Sequence, residues 1–325
     1  MPAKQLIGLI ISAILLYIIL STINIENLKD ILTDFGAIYF ILFSIIYLTT
    51  FYFRALRWRA ITAPMANITP GDSLKILLVS YSINFLTPAR LGELIRAYLL
   101  GKKAQIGLTA ALTTILMDRL LDGIVMIALL LVAEPLSDSK LPHIHEILEV
   151  IGVLLALILA FILIPTKRLV KIRQPIKSVP SSFKGRFTCV MRDLRLSGQA
   201  ILTYPSNIII LSTSILAWLI EAAFFYLIIW RVGIEVNFPA AIIVLLILNI
   251  GLLLPATPGY IGTYEAFVVL ALLSYGAGET EAAAVALIAH VIQYVSVVIS
   301  GLISLKFLGV DYKEILNFKV REQQW

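Results

Sequence analysis

Long runs of apolar residues, separated by short polar segments, occupy most of the chain. A helix that crosses a membrane needs about 20 consecutive, mostly apolar residues. Runs of about this length predict transmembrane helices at about 6–22, 36–53, 108–132, 147–164, 206–230 and 281–307. Two further apolar regions, 73–99 and 239–275, are interrupted by proline, glycine and charged residues. The pattern predicts an all-α polytopic membrane protein.

The two interrupted regions carry similar residues in a similar order. The first contains Asn84, Pro88, Arg90, Gly92 and Glu93, and the second contains Asn249, Pro255, Pro258, Gly259, Gly262 and Glu265. Proline and glycine break a helix, and broken backbone at membrane depth is tolerated only where it is buried in protein or lines a cavity. We therefore expect each region to form a hairpin around its prolines and glycines. Paired breaks of this kind predict a transport site between two repeats.

The distribution of basic residues predicts how the chain crosses the membrane. They are dense after the second helix, at 102–103, in 166–204 and in the C-terminal tail, and they are scarce in 23–35, 133–146, 231–238 and 276–280. Loops rich in basic residues generally face the cytoplasm. All of the basic segments can lie on that side only if both interrupted regions are re-entrant, which means that each leaves the membrane on the side where it entered. This predicts about six crossings, two re-entrant hairpins and cytoplasmic termini. It also predicts an inverted repeat of about 36–132 and 206–308.

Composition agrees with a single membrane domain that covers residues 1–325. The chain is 60% hydrophobic and 14% charged, with a mean hydropathy of +0.95, whereas about a quarter of the residues in a soluble protein are charged. The net charge of +6 does not indicate a nucleic-acid partner, because the basic residues cluster at the ends of apolar spans. The first apolar run lacks a small-residue cleavage site, which favours a retained helix over a signal peptide. We expect a multi-pass protein of the cytoplasmic membrane.

The most polar stretch, about 166–204, is predicted to be a basic cytoplasmic loop. Its apolar residues recur at helical spacing, at Phe183, Phe187, Val190, Met191 and Leu194. Two interpretations stay open: an amphipathic helix on an anionic membrane surface, and a helix packed against the protein.

The charged residues of the first hairpin region suggest recognition of an anion. Arg90 and Glu93 are three positions apart, so on a helix they share a face and could pair. One interpretation is a structural ion pair. The other is an arginine that binds a phosphate or carboxylate while Glu93 holds it in place, because the planar guanidinium binds such groups through two hydrogen bonds. Backbone N–H groups near Gly92 would favour an anion as well.

Other charges lie inside predicted membrane helices. Asp118 and Asp122 are one turn apart beside Arg119, which indicates a salt-bridge cluster between helices or, alternatively, a site for a proton or a headgroup amine. We interpret Arg54, Arg57 and Arg59 as anchors at the cytoplasmic surface. Arg96 and Asn84 lie at the mouth and start of the first hairpin and are added to the candidate substrate-binding residues.

Glu265 is the carboxylate of the second hairpin and completes the candidate site. Glu265 could serve in proton coupling, or it could pair with a basic residue of the other hairpin. Glu221 and His290 lie on the flanking helices, where an interhelical hydrogen bond is the expected role for each.

The sequence contains no phosphate loop of the GxxxxGK[ST] type and no HExxH motif. The HxH at His143 and His145 lacks acidic or cysteine partners at metal-binding spacing, and the single Cys189 permits no internal disulfide. We therefore expect no cofactor, no metal and no enzymatic activity. Any transport would have to draw on a gradient or proceed passively.

Three stretches together resemble a known family: Asn84 to Arg96, Asp118 to Asp122, and Leu254 to Glu265. It is the family of the lysylphosphatidylglycerol synthase transmembrane region, also called flippase-like, and the resemblance covers nearly the whole chain. It implies an integral membrane protein. In multiple peptide resistance factors this region is associated with moving aminoacylated phosphatidylglycerol across the bilayer, and other relatives are linked to lipid-linked sugars in archaea and bacteria. The chain lacks the acyltransferase-like domain, so we do not expect it to make lysylphosphatidylglycerol.

Three hypotheses follow. The first is a flippase that moves a lipid with an anionic, phosphate-containing headgroup, either a phospholipid or a polyprenyl-phosphate-linked sugar, with Arg90 as the main phosphate ligand and Arg119 as the second. The alternative is a glycosyltransferase or accessory protein acting on lipid-linked sugars, with Glu26, Asp30 and Asp34 as outer carboxylates. The third is a scaffold in which the buried charges matter only for folding. The expected partners are anionic membrane lipids, and a homo-oligomer is left open.

Overall fold

The computed structural model describes residues 3–87, 91–137, 183–203, 205–254 and 257–310, together with the isolated positions 152, 153, 157, 160 and 314. All regular structure in these ranges is helical, as predicted. The α-helices are α1 (Ala3–Thr22), α2 (Ile25–Phe35), α3 (Ala37–Thr62), α4 (Pro70–Leu86), α5 (Leu91–Ala104), α6 (Leu108–Ala133), α7 (Phe183–Leu202), α8 (Ser206–Val232), α9 (Phe238–Gly251), α10 (Thr263–Leu273) and α11 (Glu279–Phe307). Short 3-10 turns lie at Glu134–Leu136 and Pro258–Tyr260. The helix predicted at about 147–164 falls almost wholly outside the described residues.

Three helices of the described ranges are long and apolar enough to cross a membrane, namely α3, α8 and α11. α1 and α2 would add a fourth span only if counted together, and their axes meet at 95°. α6 is equally long, but any 18-residue window within it contains Asp118, Arg119 and Asp122. The chain is thus an all-α membrane protein, and α6 is a long helix with a charged middle.

The order long, short, short, long occurs twice along the chain, in α3 to α6 and again in α8 to α11. α4 and α5 have 17 and 14 residues, and α9 and α10 have 14 and 11. Each is shorter than the about 20 residues that a complete crossing requires. Within each set the two short helices pack against each other.

Local sequence explains where these short helices begin and end. Thr69 caps α4, because its side chain accepts a hydrogen bond from the Asp72 N–H at 3.0 Å, and Pro70 fits the first helical position. Asn237 caps α9 in the same way through the Ala240 N–H at 3.1 Å. These polar caps therefore set the boundaries inside otherwise apolar sequence.

The two sets interlock rather than lying side by side. α3 of the first set packs along α8 of the second, and α4 packs along α11. The approach of α4 to α11 is close, because a Cβ at Gly301 would lie 2.3 Å from the Cβ of Ser82. On its other side α4 contacts α5, where a Cβ at Gly92 would lie 1.9 Å from the backbone oxygen of Ser80. α4 is therefore a central helix, fixed on two sides by glycine contacts.

One element differs from what the sequence predicts, and a second decides between two interpretations that the sequence left open. The segment 23–35, which the apolar pattern leaves as a connection between the first two predicted helices, forms the amphipathic helix α2, which Asn24 caps through the Asn27 N–H at 3.1 Å. Helix α7 packs on α6, α3 and α8 and buries Cys189, Leu194, Leu196 and Ala200. Of the two interpretations for that basic stretch, the structure favours a helix packed against the protein.

Candidate substrate-binding site

Asp118 of α6 lies at the centre of a buried group of charges. It accepts hydrogen bonds from Arg57 Nε of α3 at 2.8 Å and from Arg96 Nη2 of α5 at 2.9 Å. The side chains of both arginines are fully buried, and that of Asp118 is 2% exposed. One carboxylate thus joins three helices through charge-assisted hydrogen bonds, which are stronger than neutral ones.

Asp122 extends the group by one helical turn, because residues four positions apart share a helix face. It accepts hydrogen bonds from Arg57 Nη1 at 2.7 Å, from Trp218 Nε1 of α8 at 3.2 Å and from Arg119 Nη1 at 3.4 Å. The second set of helices is therefore tied to the first through this carboxylate.

Tyr81 of α4 connects two further arginines. Its hydroxyl oxygen accepts hydrogen bonds from Arg54 Nη1 and from Arg119 Nη1, each at 3.1 Å. Arg54 also forms a buried ion pair with Glu221 of α8. We name the eight linked charges the arginine network; they are Arg54, Arg57, Arg96, Arg119, Glu93, Asp118, Asp122 and Glu221. Four guanidinium groups meet four carboxylates, so the network is formally neutral.

The arginine network is open to its surroundings at one end. Arg119 Nε donates to Glu93 Oε1 at 3.1 Å, and these two side chains are 32% and 29% exposed. The side chains of the other six members are at most 10% exposed. A ligand that approaches the network would therefore reach Arg119 and Glu93 first.

Several arginine N–H groups inside the network have no hydrogen-bond partner in the described part of the chain. They are Arg54 Nε, Arg57 Nη2, and Nε and Nη1 of Arg96. The Arg96 guanidinium instead stacks on the Trp58 ring at 4.0 Å from its centroid. A buried donor without an acceptor is costly, so the network has hydrogen-bonding capacity that an anionic oxygen or water could satisfy.

The second interrupted region holds a separate buried pair. Glu265 Oε2 accepts a hydrogen bond from the Gly262 N–H at 2.7 Å, and Glu265 Oε1 lies 2.6 Å from His290 Nδ1. The Tyr264 ring stacks on the His290 ring, with centroids 4.2 Å apart and planes 14° apart. Gly259 and Gly262 have φ angles of 75° and 84°, which L side chains rarely adopt. Glycine at these positions lets the chain reverse before α10.

The two interrupted regions touch each other. The Phe85 ring, at the end of α4, lies 6.0 Å from the Tyr260 ring of the Pro258–Tyr260 turn, measured between centroids. The same ring lies 5.5 Å from the Tyr294 ring of α11. The end of α4 and the second break thus pack together around one aromatic cluster.

The family model described as "Lysylphosphatidylglycerol synthase TM region" matches residues 5–301 of the chain. The chain belongs to this family. A UPF0104 membrane protein of Methanocaldococcus jannaschii is 26% identical over 68% of this chain and 92% of that relative. A UPF0104 membrane protein of Methanothermobacter thermautotrophicus is 24% identical over 98% of this chain and 100% of the relative. No solved structure matches.

For this member of the lysylphosphatidylglycerol synthase transmembrane-region family, the structure brings most of the expected site residues of the first half together. Glu93, Arg96, Asp118, Arg119 and Asp122 are all in the arginine network. Asn84 is adjacent to it, where its Oδ1 accepts a hydrogen bond from the Gly92 N–H at 2.9 Å and so caps α5. Glu265 is not linked to the network by an ion pair. Arg90, Pro88 and Pro255 lie outside the described residues, so the pairing of Arg90 with Glu93 stays a prediction.

The interpretation of Arg54 and Arg57 as surface anchors is wrong. α3 continues to Thr62, nine residues past the predicted end, and both side chains point into the protein, where they are 8% and 0% exposed. Their three-residue spacing, which places them on one helix face, was the available signal. Of the three, Arg59 alone keeps a peripheral contact, donating to the Ile68 carbonyl at 2.9 Å.

Proposed function

We propose that the chain is a membrane transporter that moves a lipid with an anionic, phosphate-containing headgroup between the leaflets of the cytoplasmic membrane, without catalysing a reaction on it. The observation that carries the proposal is the exposed end of the arginine network, where Arg119 and Glu93 are accessible and the six charges behind them are buried. A charge inside a membrane helix is expensive and is generally functional.

Arg119 is suited to a phosphate because its guanidinium presents several donors in one plane. Its Nε donates to Glu93, and a phosphate oxygen can take the place of that carboxylate without leaving the guanidinium unpaired. Displaced Glu93 is then available to an amine on the headgroup. Arg90 remains a proposed ligand on the same approach, three positions before Glu93 in the chain.

The twofold order of long and short helices supports transport by rocking of two repeats. The second set begins about 170 positions after the first, and each of its members follows its counterpart at nearly the same interval. In this proposal α4–α5 and α9–α10 are the two re-entrant hairpins of an inverted repeat, with both termini cytoplasmic. Their contact at Phe85 and Tyr260 is one place where a movement of one repeat would reach the other.

The test uses sealed vesicles that contain the purified protein and a trace of lipid labelled on its hydrocarbon tail. Separate vesicles carry anionic phospholipid, zwitterionic phospholipid or polyprenyl phosphate. A membrane-impermeant quencher reports how much label crosses to the outer leaflet. We expect the wild type to exchange one of the anionic classes, and the Arg119→Gln variant to lose this exchange.

Arg231→Gln is the matched control, because Arg231 also pairs with a carboxylate, Asp34 at 3.0 Å, and also lies over a tyrosine ring, that of Tyr39 at 4.8 Å. Arg231 lies in the last turn of α8 and is not a member of the arginine network. Exchange that persists in Arg119→Gln at the Arg231→Gln rate would refute the role of Arg119. A wild type that exchanges no lipid class faster than empty vesicles would refute the transport proposal.

A further inference from the structure

The Glu265–His290 pair differs from the arginine network in its charge. The network holds equal numbers of cations and anions, so adding or removing one proton would leave a buried charge unpaired. In the pair, a neutral His290 that donates from Nδ1 leaves the single negative charge of Glu265 uncompensated. One proton added to His290 Nε2 converts the pair into an imidazolium and a carboxylate, with no net charge. Burial favours the balanced state, because an isolated charge at low dielectric is expensive.

The surroundings of His290 leave Nε2 free to accept that proton. His290 is 5% exposed and Gln293, one turn along α11, is 4% exposed. His290 Nε2, Gln293 Nε2 and the Tyr264 hydroxyl are all buried, and none has a hydrogen-bond partner within the ranges that the structure describes. Three polar groups without partners in one small region are unusual for a purely structural contact.

The elements packed around the pair contribute few ionisable groups. α10 provides Glu265 itself and Tyr264, whose hydroxyl lies within electrostatic range of Tyr47 of α3 and of Glu221 of α8. α4 presents the apolar Phe85, whose ring centroid lies 6.4 Å from that of His290. α1 presents the backbone of Ser12 to the adjacent Gly262.

These contacts connect the pair to the arginine network. Glu221 is a member of that network through its ion pair with Arg54, and the Tyr264 hydroxyl is close enough to Glu221 and to Glu265 to interact electrostatically with both. A change of charge at His290 would thus alter the field at Glu221. The His290 ring also lies beside Phe85, which is next to the last residue of α4, the helix that carries Tyr81.

We propose that Glu265 and His290 form a reversible proton-binding site, through which lipid movement draws on a proton gradient. The proton comes from water and binds to His290 Nε2, the resulting imidazolium is held by Glu265, and the same proton leaves from Nε2 on the other side of the membrane. The coupling to lipid movement rests on the function proposed above, whereas proton binding itself does not.

Proton binding is tested first, on the full chain in lipid nanodiscs with isotope-labelled histidine. His143 and His145 are replaced by asparagine so that His290 is the only histidine. The ring nitrogens are followed over a wide range of pH, and we expect both the singly and the doubly protonated form of the ring to appear. Glu265→Gln should move the change between the two forms to lower pH, because the imidazolium loses its counter-charge. A ring that keeps one form throughout the range, or a change that Glu265→Gln leaves in place, would overturn the proposal.

Coupling is tested next in the lipid-exchange vesicles, with and without a pH difference across the membrane. We expect the gradient to drive labelled lipid toward one leaflet in the wild type. His290→Gln, which can still donate to Glu265, should exchange lipid at equal pH but lose the response to the gradient. A wild type that exchanges lipid with no response to the gradient overturns the coupling and leaves the transport proposal intact. Absence of exchange in all vesicles refutes transport, and the histidine spectra still decide whether the pair binds a proton.

Discussion

Replacing Asp118 by Asn tests how much of the fold depends on the arginine network. The carboxylate is almost fully buried and holds Arg57 and Arg96, neither of which reaches solvent. Arg57 keeps its second carboxylate, Asp122, whereas Arg96 has no other ion pair in the described ranges. Removing one partner of a buried ion pair costs about 3–5 kcal/mol, because it leaves the other charge uncompensated. In a domain of 150–250 residues, 1 kcal/mol lowers the melting temperature by about 2–4 °C, and by less in a longer chain, so we expect a fall of several degrees.

The protein provides its own probe for this measurement. Cys189 is the single cysteine of the sequence and is 8% exposed, so a fluorogenic maleimide reacts with it as the protein unfolds. Asp34→Asn is the matched control, because Asp34 pairs with Arg231 at 3.0 Å but its side chain is 76% exposed. An exposed pair contributes about 0–1 kcal/mol. Equal melting temperatures for the two variants would refute the view that Asp118 neutralises two buried cations.

Three other predictions concern the contacts around α4. Gly92→Ala should sharply reduce the yield of folded protein on size-exclusion chromatography, because its Cβ would enter the α4 backbone, whereas Gly71→Ala, whose nearest neighbour would be 4.0 Å away, should behave as wild type. Tyr81→Phe should lower the melting temperature by an amount equivalent to about 1–3 kcal/mol, because two arginines lose an acceptor, and an unchanged value would contradict that contact. Cysteines at Phe85 and Tyr260, in a chain whose native cysteine is replaced by serine, should react with a short bifunctional thiol reagent and stop lipid exchange, and exchange that continues in fully cross-linked protein would show that the two regions need not separate.

The apolar pattern was sufficient to predict the long helices, and local chemistry was sufficient to place the breaks. A run of about 20 apolar residues has few alternatives to a buried or membrane-crossing helix, so α1, α3, α8 and α11 were predictable. Gly259 and Gly262 mark a reversal because only glycine adopts their backbone angles easily. α2 was missed because polar residues dilute its apolar face. Its signal was Asn24, a helix-capping residue, followed by Ile25, Leu28, Leu32 and Phe35 at helical spacing.

The end of α3 shows what a local pattern cannot reveal. A helix that turns polar at Arg54 is normally at the membrane surface, and the three-residue spacing of Arg54 and Arg57 indicates a shared face without showing what that face contacts. The carboxylates that make burial of Arg54 and Arg57 affordable come from α6 and α8, more than sixty positions away in the chain. Such pairing depends on the tertiary arrangement. The sequence does, however, place two aspartates one turn apart in α6, and these needed cationic partners from another helix.

The neutrality of the arginine network bears on why the protein retains it. A buried ion pair gives little stability over apolar residues of similar size, so folding alone does not explain eight charges in one region. Neutrality matters for a transporter because a headgroup must bind and then leave, which requires the occupied and unoccupied states to be close in free energy. In the proposed mechanism, a phosphate replaces Glu93 as the acceptor of Arg119, and Glu93 replaces the phosphate when it departs. Neither step would leave a guanidinium without an anionic partner, and an amine on the headgroup would pair with the displaced Glu93, so the exchange need not expose an unpaired charge to the membrane.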